Sequence, residues 1–172
     1  MKRVINLDIK IIEWEDKYAD EFISLSVEWL EKYLSVEPAD LEILNNPHKM
    51  ILDNGGMVFF AKSGNNIVGT VAVIKKNDVF ELAKLSVTES YKGRKIGNML
   101  IEKAISFAEN KGTSYIYLFT NHKLVPAINL YKKYGFYEIP LIENGYIESD
   151  IKMRKDFKNK LKAEIFAKNE NN

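Results

Sequence analysis

The residues best suited to chemistry stand in one short run, Lys92-Gly93-Arg94-Lys95-Ile96-Gly97-Asn98. Placed between a strand and a helix, such a run lets backbone N–H groups converge at a helix N-terminus, where the helix dipole favours an anion. Lys92, Arg94 and Lys95 add positive charge, while Gly93 and Gly97 allow close approach and backbone shapes that a Cβ obstructs. The turn suits a pyrophosphate. It equally suits a plainer role, a solvated basic loop that only starts a helix. It is not a Walker loop, which needs Gly-Lys-Ser/Thr after four intervening residues, nor a dinucleotide fingerprint, which needs three glycines.

Other chemistries are disfavoured by what the chain lacks. With 172 residues, 46% of them hydrophobic, one domain with its own core is expected. There is no cysteine, which removes disulfides, thiolate nucleophiles and thiolate metal sites, and fits a reducing cytoplasm. His48 and His122 stand apart in polar, turn-like surroundings, so no metal site is expected. A formal net charge of +1 gives no strong field toward nucleic acid or an anionic bilayer. No run reaches the roughly 20 apolar residues of a membrane span, and Met1 to Leu7 is too short for a secretory signal. A soluble, cytoplasmic protein is the expectation.

The elements that must position the loop follow from periodicity. Ile5, Leu7, Ile9 and Ile11 alternate, predicting a first strand over Asn6 to Glu13. From Asp16, Tyr18, Phe22, Leu25, Trp29 and Tyr33 recur at helical spacing until Pro38. Leu41 to Asp53, interrupted by Pro47, reads as one or two short helical pieces, broken by Asn54-Gly55-Gly56. Three antiparallel strands are predicted next: Met57 to Ala61, Ile67 to Lys75 and Val79 to Val87, with turns at Ser63-Gly64-Asn65-Asn66 and Asn77-Asp78. On an unbroken pleat Val79, Glu81, Ala83, Leu85 and Val87 share one face. The basic loop then opens a helix over Asn98 to Asn110, buried through Leu100, Ile101, Ala104, Ile105 and Ala108 and stopped by Gly112. Tyr115 to Thr120 is a short strand, and a helix follows between Pro126 and Gly135. Phe136 to Ile139 and Asp150 to Phe157 read as final strands with Asn144-Gly145 between them, and Phe157, Leu161 and Ile165 as a C-terminal helix. The fold class is α/β (α+β), a single mixed, mostly antiparallel sheet flanked by helices.

Three segments in order carry a resemblance: the strand Glu81 to Val87, the loop Tyr91 to Gly97, and Ala127-Ile128-Asn129-Leu130-Tyr131-Lys132-Lys133-Tyr134-Gly135-Phe136. Together they resemble the GCN5-related N-acetyltransferase (GNAT) family. In that family the loop reads Gln/Arg-x-x-Gly-x-Gly/Ala and holds the pyrophosphate of acetyl-CoA, and a segment of the type Ala-x-x-Leu-Tyr-x-x-x-Gly-Phe packs beside the cofactor thiol. The second pattern is complete. The first is partial: Lys92 stands for Gln or Arg, Lys95 replaces the first motif glycine, and Gly97 fits.

The resemblance implies a GNAT domain over residues 1–157 with a helical tail at 158–172. It implies acetyl transfer from acetyl-CoA to a primary amine by direct attack in a ternary complex, without a metal. Its cofactor contacts would be Leu85, Ser86 and Val87 on a splayed strand edge, Lys92, Gly93, Arg94, Lys95, Ile96, Gly97 and Asn98 around the pyrophosphate, and Asn121 and Asn129 along the arm. Tyr131, otherwise readable as one member of a core stripe, becomes the acid for the departing thiolate. A thiol titrates near about 8.5 and a phenol near about 10, so a tyrosine waits protonated. Glu81 takes the place of a base for the amine, against the plainer role of partner to a lysine such as Lys84. Backbone amides near Leu85 would meet the oxyanion.

The acceptor groove of this fold would lie between the first helices and the loop of about Tyr137 to Asp150. There Glu143, Glu148 and Asp150 could draw a cationic amine and Tyr146 line the pocket. Expected partners are therefore a small-molecule or protein amine, with a homodimer as a further assembly state and neither nucleic acid nor membrane. The competing readings are a binding module of the same fold that holds acyl-CoA without turnover, and an RNA-binding α/β domain, which near-neutral charge disfavours.

Overall fold

The computed structural model describes residues 8–142 and 145–158. Strand β1 is Ile9–Glu13; the predicted Ile5 and Leu7 lie outside the described residues. A short 3-10 turn at Asp16–Tyr18 leads into α1, Ala19–Tyr33, which buries Phe22, Leu25, Ser26 and Leu30 on one face. Helix α2, Pro38–Asn45, begins three residues before the expected Leu41 because Glu37 and Asp40 form a reciprocal capping box and Pro38 supplies a preset φ at its first turn. A single wide turn at His48–Leu52 completes the region, and Gly56 follows where an added Cβ would lie 2.3 Å from the Val73 carbonyl oxygen.

Strands β2 (Met57–Ser63), β3 (Asn66–Lys76) and β4 (Val79–Val87) form the predicted antiparallel meander. Helix α3 is Ile96–Asn110, β5 Tyr115–Thr120, α4 Val125–Lys133, β6 Tyr137–Ile139 and β7 Ile151–Asp156. The predicted tail helix and Asn144 lie outside the described residues. The seven strands form one sheet in the order β1-β2-β3-β4-β5-β7-β6, antiparallel everywhere except between β4 and β5. A parallel neighbour cannot be reached by a tight turn, and α3 makes that crossover.

The sheet separates two apolar clusters. On one side Ile96, Leu100, Ile101, Ala104 and Ala108 of α3 and Tyr131 of α4 pack on Phe59, Val71, Phe80, Leu82 and Ile116. On the other Phe22 of α1, Ile43 and Leu44 of α2, and Ile51 cover Val58, Phe60, Ala72 and Ile74.

Strand β4 is the irregular one, and its pleat is not continuous. Pairing steps from Ala72↔Ala83 to Thr70↔Ser86, so β4 carries one more residue than β3 across the step. Lys84 absorbs it in the left-handed region, at φ 54°. Leu85 and Val87 consequently turn to the α3 side, where Phe80 and Leu82 already lie, instead of sharing a face with Glu81 and Ala83 as an unbroken strand requires. On its other edge β4 meets β5 at only two pairs, Phe80↔Ile116 and Glu81↔Tyr117. Beyond them β5 stays with β7 through Thr120↔Ile151 while β4 diverges, and a fork opens with Leu85 to Val87 on its free edge.

The bulge is held by charge. The Lys84 ammonium and the Asp40 carboxylate pair directly, with side chains only 6% and 3% exposed, and the ammonium also lies 5.3 Å from the centre of the Tyr146 ring. Removing one partner leaves the other charge buried alone, at a cost of roughly 3–5 kcal/mol. Lys84→Met should therefore lower unfolding free energy in urea titrations by about that much, and adding Asp40→Asn should recover a large part of it.

Candidate active site

The fork opens into a cleft of about 760 Å³ including its mouth. Its walls are α1 (Trp29, Leu30), the α2 start (Glu37, Asp40), β4 from Glu81 to Ser86, the end of β5 (Phe119, Thr120), α4 (Ala127, Tyr131), and Tyr146 from the β6–β7 loop. Glu81 and Tyr131 therefore stand on one cavity, with the free β4 edge between them in its wall.

Glu81 is buried at 4% exposure and accepts a hydrogen bond of 3.1 Å from the Tyr146 hydroxyl. Burial pushes its carboxyl above the ordinary range, opposed by Lys76, the Tyr146 bond, Lys84 and Lys152. The expected alternative of an ion pair with Lys84 is not what forms: Lys84, on the same strand, goes to Asp40. Tyr131 is 8% exposed, and burial pushes its phenol up to about 12. It packs edge-on against Phe136 at 6.0 Å between centres, so its core role and its place on the cavity coexist.

The basic run lies at the other end of the free β4 edge. Helix α3 starts at Ile96, two residues before the expected Asn98, and Lys95 caps it in the left-handed conformation at φ 60°. That is the shape glycine adopts most cheaply, which explains why a lysine can stand at the glycine position of the motif: its backbone does what glycine would, at a strain of about 1 kcal/mol, while its side chain is exposed. Among the described residues the N–H of Lys92 is taken by the Glu89 carbonyl, and the first intrahelical bond is from Met99 to Lys95. The N–H groups of Gly93 through Asn98 have no such partner, which is a cradle for an anion.

The cations divide differently from expectation. Lys92 reaches back to Glu89 at 2.6 Å and to the Tyr33 hydroxyl, and Lys32 binds the same carboxylate. Those bonds hold the Glu89 carboxyl down at about 2. Arg94, 4.8 Å from the Tyr91 ring, and Lys95 are exposed beside the cradle. Asn98 has its side chain on Tyr134. Leu85 and Val87 are part-buried and Ser86 is buried.

The two asparagines also separate. The Asn121 amide donates to the Glu148 carbonyl at 2.5 Å and accepts from the Lys123 N–H at 2.9 Å, so it is occupied in fastening the β6–β7 loop. Asn129 is exposed on α4.

The loop's acidic residues are engaged as well. Glu148 binds the Ser35 N–H and hydroxyl, each at 2.9 Å, and Asp150 pairs with the His122 ring and N–H. Neither is a free anion for an amine, and Glu143 lies outside the described residues. The carboxylates that do reach the cavity, besides Glu81, are Glu37 and Asp40, which sequence reading missed. Their visible signal was the capping box Glu37-Pro38-Ala39-Asp40.

Residues 11–136 match the family described as Acetyltransferase (GNAT) family. The chain belongs to this family. A GNAT relative, an uncharacterised N-acetyltransferase of Schizosaccharomyces pombe, is 30% identical over 122 residues, 68% of this chain and 75% of its own. Three further curated relatives are matched over only 38–49% of their own length. The crystal structure of a GNAT acetyltransferase from Staphylococcus aureus is 28% identical and superimposes with a TM-score of 0.79, covering 87% of this chain and 99% of that one. The PaiA N-acetyltransferase of Thermoplasma acidophilum, solved with coenzyme A, shares the GNAT fold at 16% identity and a TM-score of 0.67, over 88% of this chain and 100% of that one. No helix among the described residues is long and apolar enough to cross a membrane.

Burial of Glu81 has a stability consequence. A carboxyl whose pKa is raised by folding contributes most at low pH, and stability is lost as pH rises through the folded value. Glu81→Gln removes that loss. Its melting temperature should exceed that of the native chain by a few degrees at pH 8, with the gain vanishing toward pH 4.

Proposed function

We propose that this GNAT protein moves the acetyl group of acetyl-CoA onto a primary amine by direct attack in a ternary complex. The observation that carries the reading is the fork between β4 and β5, with Glu81 and Tyr131 on its cavity and unpaired N–H groups at its outer end. Acetyl-CoA supplies an activated thioester. The residues that would hold it fit: the Gly93–Asn98 amides with Arg94 and Lys95 for the diphosphate, and the free edge from Leu85 to Val87 for the amides of the pantetheine arm, bound as an added strand.

An ammonium group cannot attack a carbonyl, and a lysine-type amine keeps its proton up to about 10.4. Glu81, with its carboxyl raised above the ordinary carboxylate range by burial, takes that proton directly or through a water. N–H groups near Leu85 stabilise the oxygen as it gains charge. Tyr131 donates to the departing sulfur. At about 12 against roughly 8.5 for a thiol, complete early transfer of its proton would be uphill by on the order of 5 kcal/mol, so hydrogen-bond donation is its main contribution. The catalytic domain in this reading is residues 1–157, working in the cytoplasm without a metal.

Release of free thiol from acetyl-CoA, assayed across a panel of amines, tests the reading; heat of coenzyme A binding without any thiol release would identify a non-catalytic binder instead. Tyr131→Phe should lower kcat by tenfold or more while coenzyme A affinity stays within a few-fold, and unchanged kcat would remove Tyr131 from the chemistry. The pH profile reports on Glu81. Tyr146→Phe deletes a bond that favours the charged carboxylate, so the acidic limb of kcat/KM should move to higher pH, whereas Glu81→Gln should abolish that limb.

A further inference from the structure

The cavity's unspent charges point to the kind of amine it accepts. Glu37 uses its oxygens on the Ile147 N–H and the Glu148 N–H, the latter at 3.2 Å. Asp40 is spent on Lys84 and on the Glu37 N–H at 2.9 Å. Glu148 and Asp150 are fastened to Ser35 and His122. That leaves Glu81, which has one hydroxyl donor, as the carboxylate open to an incoming amine. Among the described residues a second ammonium on the same molecule would find no uncommitted anion in the cavity wall.

The complementary open charge is a cation. From Glu81 a continuous series of contacts runs across the sheet: Tyr146 donates to Glu81, the Tyr146 ring lies 5.8 Å from Phe119, and the Lys152 ammonium lies 5.4 Å from Phe119 and 4.7 Å from Tyr117. Register places these groups on one face, with Glu81 opposite Tyr117 and Phe119 opposite Lys152. This face of β5 and β7 continues outward from the cavity. Arg154, its neighbour on that face, is neutralised by Asp156 at 2.6 Å, while Lys152 has no carboxylate within 4 Å among the described residues. Adjacent strands are about 4.8 Å apart, β5 stands between β4 and β7, and Lys152 lies two residues further along β5 than Glu81, so their backbones are separated by roughly 12 Å. Lys152 leans back over the β5 rings and shortens that gap.

We propose that the acceptor is a primary amine that also carries an acidic group, its amine taken at Glu81, its short apolar spacer lying on Phe119 and Tyr146, and its acid taken at Lys152. The inference rests on the acetyl-transfer reading above and names the substrate class of that site. An ammonium–carboxylate contact beside aromatic rings is worth more than one in open water, because the rings displace solvent and lower the local dielectric, and a carboxylate outcompetes their weaker hold on the ammonium. A polyamine of similar length would bring its second cation against Lys152.

The test pairs each acid with its uncharged twin. 5-Aminopentanoate, 6-aminohexanoate and 4-(aminomethyl)benzoate are assayed for thiol release beside their carboxamides, with spermidine as the dicationic comparison. For at least one pair the acid should exceed its amide by tenfold or more in kcat/KM, and spermidine should fall below that acid. Lys152→Gln should bring the acid-to-amide ratio near one, and Lys152→Glu should reverse it. Because the ratio is taken within one variant, any change Lys152 imposes on Glu81 cancels. Equal rates for every acid and amide, or a preference that survives Lys152→Gln, overturns the inference while acetyl transfer stands. Turnover of amides or spermidine alone does the same. Silence from every acceptor overturns both.

Discussion

Everything at the site depends on the buried ion pair between Lys84 and Asp40. It stabilises a lysine in a left-handed conformation inside a strand, and that residue is the extra one that breaks the pleat. With the pleat broken, Leu85 and Val87 turn to the α3 side, and beyond Glu81 the strand no longer follows β5. A regular β4 would have carried its pairing with β5 further and closed the cavity. The pair also ties the α2 start to β4 at the cleft, so a helix and the irregular strand share one fastening.

Electrostatics at the two ends of the cavity are opposite in kind. Inside, burial is the first cause of the raised pKa of both Glu81 and Tyr131. A carboxyl that holds its proton more tightly and a phenol that never releases one are suited to proton acceptance and hydrogen-bond donation at neutral pH. At the outer end, the α3 start is exposed, and its anion-binding capacity comes from backbone N–H groups that no protein acceptor meets. The lysines there are not equivalent: Lys92 serves the Lys32–Tyr33–Glu89 cluster that braces α1 against the loop, while Arg94 and Lys95 face solvent.

The β6–β7 loop is more than a connection. Glu37, Ser35, Asn121 and His122 each hold part of it, and these fastenings bring Tyr146 over Glu81. Its acidic residues looked in sequence like bait for an amine, yet they serve as rivets.

Sequence patterning was sufficient for the meander, the α3 crossover and the Ala127–Phe136 segment, because each is local: alternation, helical spacing and turn residues act within a dozen positions. For the same reason it picked out the Lys92–Asn98 loop, whereas Glu81 and Tyr131 became candidates only through the family resemblance, since by pattern alone Tyr131 is one more member of a core stripe. It could not show where the left-handed residue falls in β4, since Lys84 carries no local signal for it and the conformation is maintained by Asp40, forty-four positions away. Nor could it show that Glu148 and Asp150 are spent, or that Lys152 is open beside aromatic rings from another strand. A residue's type and spacing are written in the chain; whether its charge is already neutralised depends on partners that only folding brings within reach.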